Sequence, residues 1–186
     1  MENMGRLAQD IQEIVVAESD INNRIKELAQ QISADYEGKD LLVVGVLNGS
    51  SVFYINLMME LDLMLDMHFI RVSSYGSGTA SSGNVRMIYD LEVDVAGKDI
   101  LVVEDIVDSG NTLLRLKNLF TDRGAASFKC VALLDKPSRR VVDIEADYVG
   151  FEVPDLFVVG YGLDYAGKYR NMRFIGVLKP EIYSEA

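Results

Sequence analysis

Three predominantly apolar runs constrain this chain more than any other feature. Residues 41–47 read Leu-Leu-Val-Val-Gly-Val-Leu, residues 99–103 read Asp-Ile-Leu-Val-Val, and residues 127–134 read Ser-Phe-Lys-Cys-Val-Ala-Leu-Leu. Each is too short for a free-standing helix, and none alternates apolar with polar along its whole length, so each suits a strand covered on both faces. Helix-like stretches separate them. Ile21, Ile25, Leu28 and Ile32 recur at three- and four-residue spacing, one apolar helix face, with Ser19-Asp20 as the expected N-cap. Residues 52–61 and 113–122 read as further helices, and residues 63–72 and 85–91 as strands. The tail offers short strands at 148–153, 157–161 and 174–178. This alternation predicts an α/β fold with a mainly parallel sheet, whose ligands sit beyond the carboxyl ends of the strands. The 186 residues suit one domain, with a core over about 36–150 and a small lobe from the first helix and the final strands.

Charge and rare residues exclude several classes. The formal net charge is −11, from 29 acids against 18 bases, which opposes the basic footprint of a nucleic-acid binder. The single cysteine, Cys130, has no intrachain partner, so a reducing cytoplasm is expected. One Cys and one His cannot build the usual zinc site. His68 lies in a strand-like run and is expected on a strand face rather than in catalysis. The first residues lack the apolar run of a secretory leader, and no segment reaches membrane-spanning length.

Residues 100–112, Ile-Leu-Val-Val-Glu-Asp-Ile-Val-Asp-Ser-Gly-Asn-Thr, carry the chemistry. A buried strand runs into adjacent carboxylates, Glu104 and Asp105, and a third, Asp108, opens a turn into a helix. Free N–H groups at a helix start, with the Ser109 and Thr112 hydroxyls, make an anion cradle. Gly110 lets the backbone close round a phosphate. Glu104 and Asp105 are suited to ribose hydroxyls or to Mg²⁺ through water. Neither the Gly-Lys-Ser/Thr phosphate loop nor a Gly-x-Gly-x-x-Gly turn is present. The plain alternative is an acidic turn with Asp108 as N-cap.

The segment Val-Val-Glu-Asp-Ile-Val-Asp-Ser-Gly-Asn-Thr (102–112) resembles the signature for 5-phosphoribosyl-1-diphosphate (PRPP) in type I phosphoribosyltransferases. Val-Ser-Ser-Tyr-Gly-Ser-Gly (72–78), Leu-Leu-Asp-Lys-Pro (133–137) and the run 148–170 extend the likeness, in order, to hypoxanthine phosphoribosyltransferases. That resemblance implies the type I phosphoribosyltransferase fold with a small hood, and purine salvage: hypoxanthine, or guanine, plus PRPP giving nucleotide plus pyrophosphate. It implies Asp108 as the acid/base at the purine N7 proton and residues Asp108, Ser109, Gly110, Asn111 and Thr112 as the 5′-phosphate loop. Glu104 and Asp105 would meet the ribose hydroxyls, with Mg²⁺ nearby. Lys136 would donate to the purine 6-oxo group, Phe157 would stack on the base, and the Val158 backbone would read the ring edge. Asp164 would hold a second Mg²⁺, and Arg170 would bind pyrophosphate beside the loop Leu47, Asn48 and Gly49. Residues 73–83, with Ser74 and Tyr75, would form a lid that excludes water on closure.

At Asn48 the sequence departs from the family, which usually has a basic residue there and often a cis peptide before it. The loss of that charge implies heavier reliance on Mg²⁺ and Arg170. A homo-oligomer, dimer or tetramer, follows from the resemblance alone. A regulatory protein on the same fold, binding nucleotide and RNA, is the alternative; it would want a basic face. A receiver-type signalling domain would place its carboxylate pair after the first strand instead.

Overall fold

A computed structural model of the chain describes residues 6–74 and 85–183. The order of elements is β1 (Ile11–Val16), α1 (Glu18–Asp35), β2 (Leu41–Leu47), α2 (Ser51–Glu60), β3 (Asp66–Ser74), β4 (Val85–Tyr89), β5 (Asp99–Val107), α3 (Asn111–Asp122), β6 (Ser127–Asp135), β7 (Tyr148–Glu152), β8 (Val158–Val159), β9 (Ile175–Leu178) and α4 (Pro180–Tyr183). Six strands form one sheet in the order β4-β3-β2-β5-β6-β7. Five of them run parallel, and β4 is an antiparallel edge. A separate antiparallel sheet, β1-β9-β8, joins a strand from near the start of the chain to two from near its end.

The apolar runs are continuous because helices cover both faces of the large sheet. Side chains of a strand alternate between faces. Leu41, Val43, Leu101 and Val103 pack with Ile21, Ile25, Leu28 and Ile32 of α1 and with Phe53 and Leu57 of α2. Leu42, Val44, Val46, Ile100 and Val102 face the other way, toward Leu116 and Phe120 of α3. The first cluster also takes in Val16, Val158, Ile175 and Val177 from the small sheet, so one core spans both sheets. The mixed α/β architecture with a central parallel sheet is the one expected from the sequence.

Some local expectations give way. Helix α1 starts at Glu18 with Ala17 as an extended cap and no side-chain cap bond; Ser19 and Asp20 lie inside the first turn. The reason is tertiary: β1 stays paired with β9 as far as Val16, opposite Ile175, so the chain must turn at once. Asp108 does not cap α3. That helix starts at Asn111, and Gly110 caps it in the left-handed region, φ 85°. The strand expected over 63–72 lies at Asp66–Ser74, and the one expected over 157–161 shrinks to two residues. Left-handed backbone at Gly160, Tyr161 and Gly162 ends the latter. His68 sits on β3 opposite Val44, half-buried, as a strand-face residue.

Candidate active site

Chain order places the site. From β2 the chain goes to β3 on one side, then returns to the other side of β2 to lay down β5. In an open parallel sheet, that reversal leaves a crevice between the carboxyl ends of the two strands. The loop after β2 and the loop after β5 flank this crevice, and a cleft of about 550 Å³ opens there. It brings together Leu47, Asn48, Gly49, Glu104, Asp105, Thr112, Asp164 and Arg170. A smaller cavity of about 80 Å³ adjoins it, lined by Asp108, Ser109, Gly110 and Thr112, with Glu104 shared between the two.

The Leu47–Asn48 peptide bond is cis. Behind it, Gly49 lies hard against the end of β5. A Cβ built there would fall 1.5 Å from Asp105 Oδ2, so no side chain fits while that carboxyl keeps its place. Burial pushes the Asp105 carboxyl up to about 6, against the bond its Oδ1 accepts from the Ile106 N–H at 2.9 Å and the attraction of Arg170. Glu104 is 5% exposed, and burial raises its carboxyl well above the usual range, with Asp105 adding to the effect. Two adjacent carboxyls that are costly to ionise in a cleft mark a place for a cation or for hydroxyl donors.

Across the cleft, Arg170 pairs with Asp164 at 2.7 Å and donates from Nη1 to the Gly162 carbonyl, also at 2.7 Å. The other Asp164 oxygen accepts the Gly167 N–H at 2.7 Å. Among the described residues no group of three or more His, Cys, Asp or Glu is disposed to hold a metal. A site of one or two carboxylates completed by substrate oxygens and water is instead the ordinary habit of Mg²⁺.

The loop after β5 is anchored from the turn that follows β6. Arg140 donates to the Asp108 carbonyl and pairs with Asp135, while the Val141 N–H donates to the Ser109 carbonyl at 3.0 Å. The Asn111 N–H reaches Ser109 Oγ at 3.4 Å. Gly110 has Arg140, Val142 and Ile144 side chains within 2.9 Å of where a Cβ would stand. Its positive φ and this close packing both call for glycine.

Lys136, Phe157 and Val158 line neither cavity. Lys136 is 7% exposed, and its Nζ donates to the Leu156 carbonyl at 2.6 Å. Burial pulls its ammonium down, opposed by the charges of Asp108 and Asp155. Phe157 is 37% exposed, its ring 5.8 Å from Tyr165 and 5.1 Å from Tyr183. Val158 is buried in β8. Ser74 ends β3 opposite Val85; Tyr75 and the rest of the expected lid through residue 83 lie outside the described residues.

Four residues at the site escape a reading of the sequence. Arg71 lines the cleft because β3 pairs it with Leu47, and Ile106 faces both cavities. Arg139 stands beside Asp108, and Asp155 pairs with Arg139. The basic trio Lys136, Arg139 and Arg140 directly after an apolar strand, in so acidic a chain, is the signal that could have found Arg139.

The profile of the phosphoribosyl transferase domain matches residues 13–166. The chain is 55% identical over 176 residues to the bifunctional protein TilS/HprT of Listeria monocytogenes serotype 4b (strain F2365), a match over 95% of this chain that spans only 27% of that relative. It is 51% identical over 177 residues to the hypoxanthine-guanine phosphoribosyltransferase of Bacillus subtilis (strain 168), covering 95% of this chain and 98% of the relative. A crystal structure of a hypoxanthine phosphoribosyltransferase from Staphylococcus aureus superposes with a TM-score of 0.93 at 47% identity, over 98% of this chain and 99% of the other. With that fold, and with the strand–loop–helix cradle at its crevice, this chain belongs to the phosphoribosyl transferase domain family, among the hypoxanthine-guanine phosphoribosyltransferases.

Proposed function

We propose that this chain transfers the 5-phosphoribosyl group of PRPP to hypoxanthine and to guanine, releasing pyrophosphate. The observation that carries this is the convergence, at one crevice, of the Asp108–Thr112 cradle, the Glu104–Asp105 pair and the Asp164–Arg170 pair. The cradle suits the 5′-phosphate: free amides at the start of α3 face an anion, and Ser109 and Thr112 add hydroxyls. Purine N9 attacks C1′ of the ribose as the C1′–oxygen bond to pyrophosphate breaks, and the electron pair leaves with pyrophosphate. The base then carries a surplus proton at N7, and the Asp108 carboxylate accepts it. The transition state has oxocarbenium character, so the acidic floor of the cleft stabilises it.

Lys136 faces the purine 6-oxo group, which selects oxo purines over adenine; Phe157 stacks on the ring and the Val158 backbone meets its edge. Leu47, Asn48, Gly49 and Arg170 take the pyrophosphate, with Arg71 as a further cation in place of the charge absent at Asn48. Mg²⁺ fits the donor set, since Glu104 and Asp105 offer oxygen ligands, with Asp164 on the pyrophosphate side; when bound it neutralises the leaving group. Ser74 and Tyr75 would contact the bound substrates, the role that the family resemblance implies for them.

We read the chain as a single domain with a hood. Exposed Met59, Met64 and Met67 support a homo-oligomer, and the unpaired, buried Cys130 supports a reducing cytoplasm. Among the described residues no helix is long and apolar enough to cross a membrane.

Turnover of hypoxanthine, guanine, xanthine and adenine with PRPP and Mg²⁺ tests the proposal. The expected result is nucleotide formation with hypoxanthine and guanine and none with adenine. Absence of product with every base refutes it.

A further inference from the structure

We propose that Arg139 is a positioning residue for the proton transfer at Asp108: it fixes Oδ1 of that carboxylate and turns the other oxygen toward the purine. This rests on the proposed reaction and deepens it.

Arg139 closes the short turn after β6, Pro137–Arg139. Its Nε lies 2.8 Å from Asp108 Oδ1, and its Nη1 lies 3.1 Å from Asp155 Oδ1. One guanidinium thus spans two carboxylates from different loops. The first belongs to the phosphate cradle. The second stands two residues before Phe157, in the segment that carries the base. Lys136 Nζ lies 3.9 Å from the same Asp155 oxygen, so the two cations of this turn share one acidic anchor.

The two neighbouring arginines divide the work. Arg140 takes the Asp108 carbonyl and is held by Asp135, which fixes the backbone of the loop. Among the described residues, Arg139 alone pairs with the carboxylate. Asp108 Oδ1 is shut off from solvent and receives no aligned hydrogen bond, although the Asp108 side chain as a whole is 42% exposed. Its open face is therefore the one bearing Oδ2. A carboxylate oxygen closed off in this way depends on the adjacent charge. Take the guanidinium away, and Oδ1 must rotate out to find water or another donor. That rotation moves Oδ2 from its approach to N7, and misplacing a reacting group by about 1 Å costs on the order of 10²-fold in rate. The planar guanidinium matters here, because it holds Nε and Nη1 at a fixed separation toward two carboxylates, which the single nitrogen of a lysine does not.

The test is steady-state kinetics with hypoxanthine and PRPP on Arg139→Gln, Arg139→Lys and Asp155→Asn, each also in an Asp108→Asn background. Arg139→Gln should lower kcat by about 10- to 100-fold and leave the KM for PRPP within about twofold. Arg139→Lys should recover part of the loss, and Asp155→Asn should show a smaller fall in kcat. In the Asp108→Asn background, Arg139→Gln should add nothing further, since the group it positions is gone. A kcat within twofold of wild type for Arg139→Gln overturns the proposal. So does an equal further loss without Asp108, which would place the action of Arg139 elsewhere. A wild-type chain that turns over no purine removes the reaction itself and this inference with it; an active wild type with an indifferent Arg139 removes the inference alone.

Discussion

Asp105 shows how a single side chain in this cleft is held at a cost. It lies at the end of a buried strand, against Gly49, with one oxygen satisfied by the Ile106 N–H. Burial raises its carboxyl to about 6 in the folded chain, whereas an unfolded aspartate titrates near ~3.9. Below about pH 4 the group is protonated in both states and costs nothing. As pH climbs from about 4 to 6, the unfolded chain releases its proton first, and stability falls; above about 6 the full cost remains. Asp105→Asn keeps the acceptor and removes the charge. It should therefore stabilise the metal-free protein at pH 8 by roughly 1–3 kcal/mol, and the gain should shrink toward zero near pH 4. Urea unfolding at the two pH values measures this. An advantage that does not change with pH would mean that packing, not ionisation, separates Asn from Asp.

The loop after β2 and the end of β5 form one working unit, and Gly49 is where they touch. Gly49→Ala must displace either the Asp105 carboxyl or the loop, since the added carbon falls 1.5 Å from Oδ2. The expected outcome is a loss of about 1–3 kcal/mol with a raised KM for PRPP and little change in the KM for hypoxanthine. Kinetics with each substrate varied in turn, beside a thermal melt, checks it; unchanged PRPP kinetics would show that the loop can shift without harm. Elements of this kind differ in how readable they are. The Glu104–Thr112 stretch was legible because its parts are contiguous, a strand, a turn and a helix start whose chemistry needs no distant partner. Asn48 and Gly49 were legible as a turn, and the resemblance supplied their place. Arg71 was not, because it reaches the cleft only through parallel pairing with Leu47, 24 residues earlier, and register is a tertiary fact. Ser19 and Asp20 failed as caps for the same reason: pairing of β1 with β9, from the far end of the chain, decides where α1 begins.

At the scale of the molecule, the question is whether the small sheet is a separate folding unit. Phe157 and Val158 lie at or in it, the Asp108–Thr112 loop lies at the large sheet, and the proposed reaction would need a purine to meet both. The packing joins them. Val16, Val158, Ile175 and Val177 of the small sheet share one buried cluster with α1, α2 and the strands β2, β5 and β6. Side-chain hydrogen bonds reinforce this: Asn56 Nδ2 of α2 donates to the Tyr161 hydroxyl, just after β8, at 2.8 Å, and Lys136 Nζ, just after β6, to the Leu156 carbonyl, just before β8, at 2.6 Å. A core without a seam should unfold in one step. The protein should therefore show a single thermal transition, coincident by near- and far-ultraviolet circular dichroism. Ile175, fully buried in β9, is the residue to truncate. Ile175→Ala should cost roughly 3 kcal/mol and lower the Tm of the whole protein by roughly 6–12 °C, still in one transition. Two transitions, the lower one alone moving with the substitution, would establish the small sheet as an independent unit and make the proposed purine side of the site separable from the proposed PRPP side.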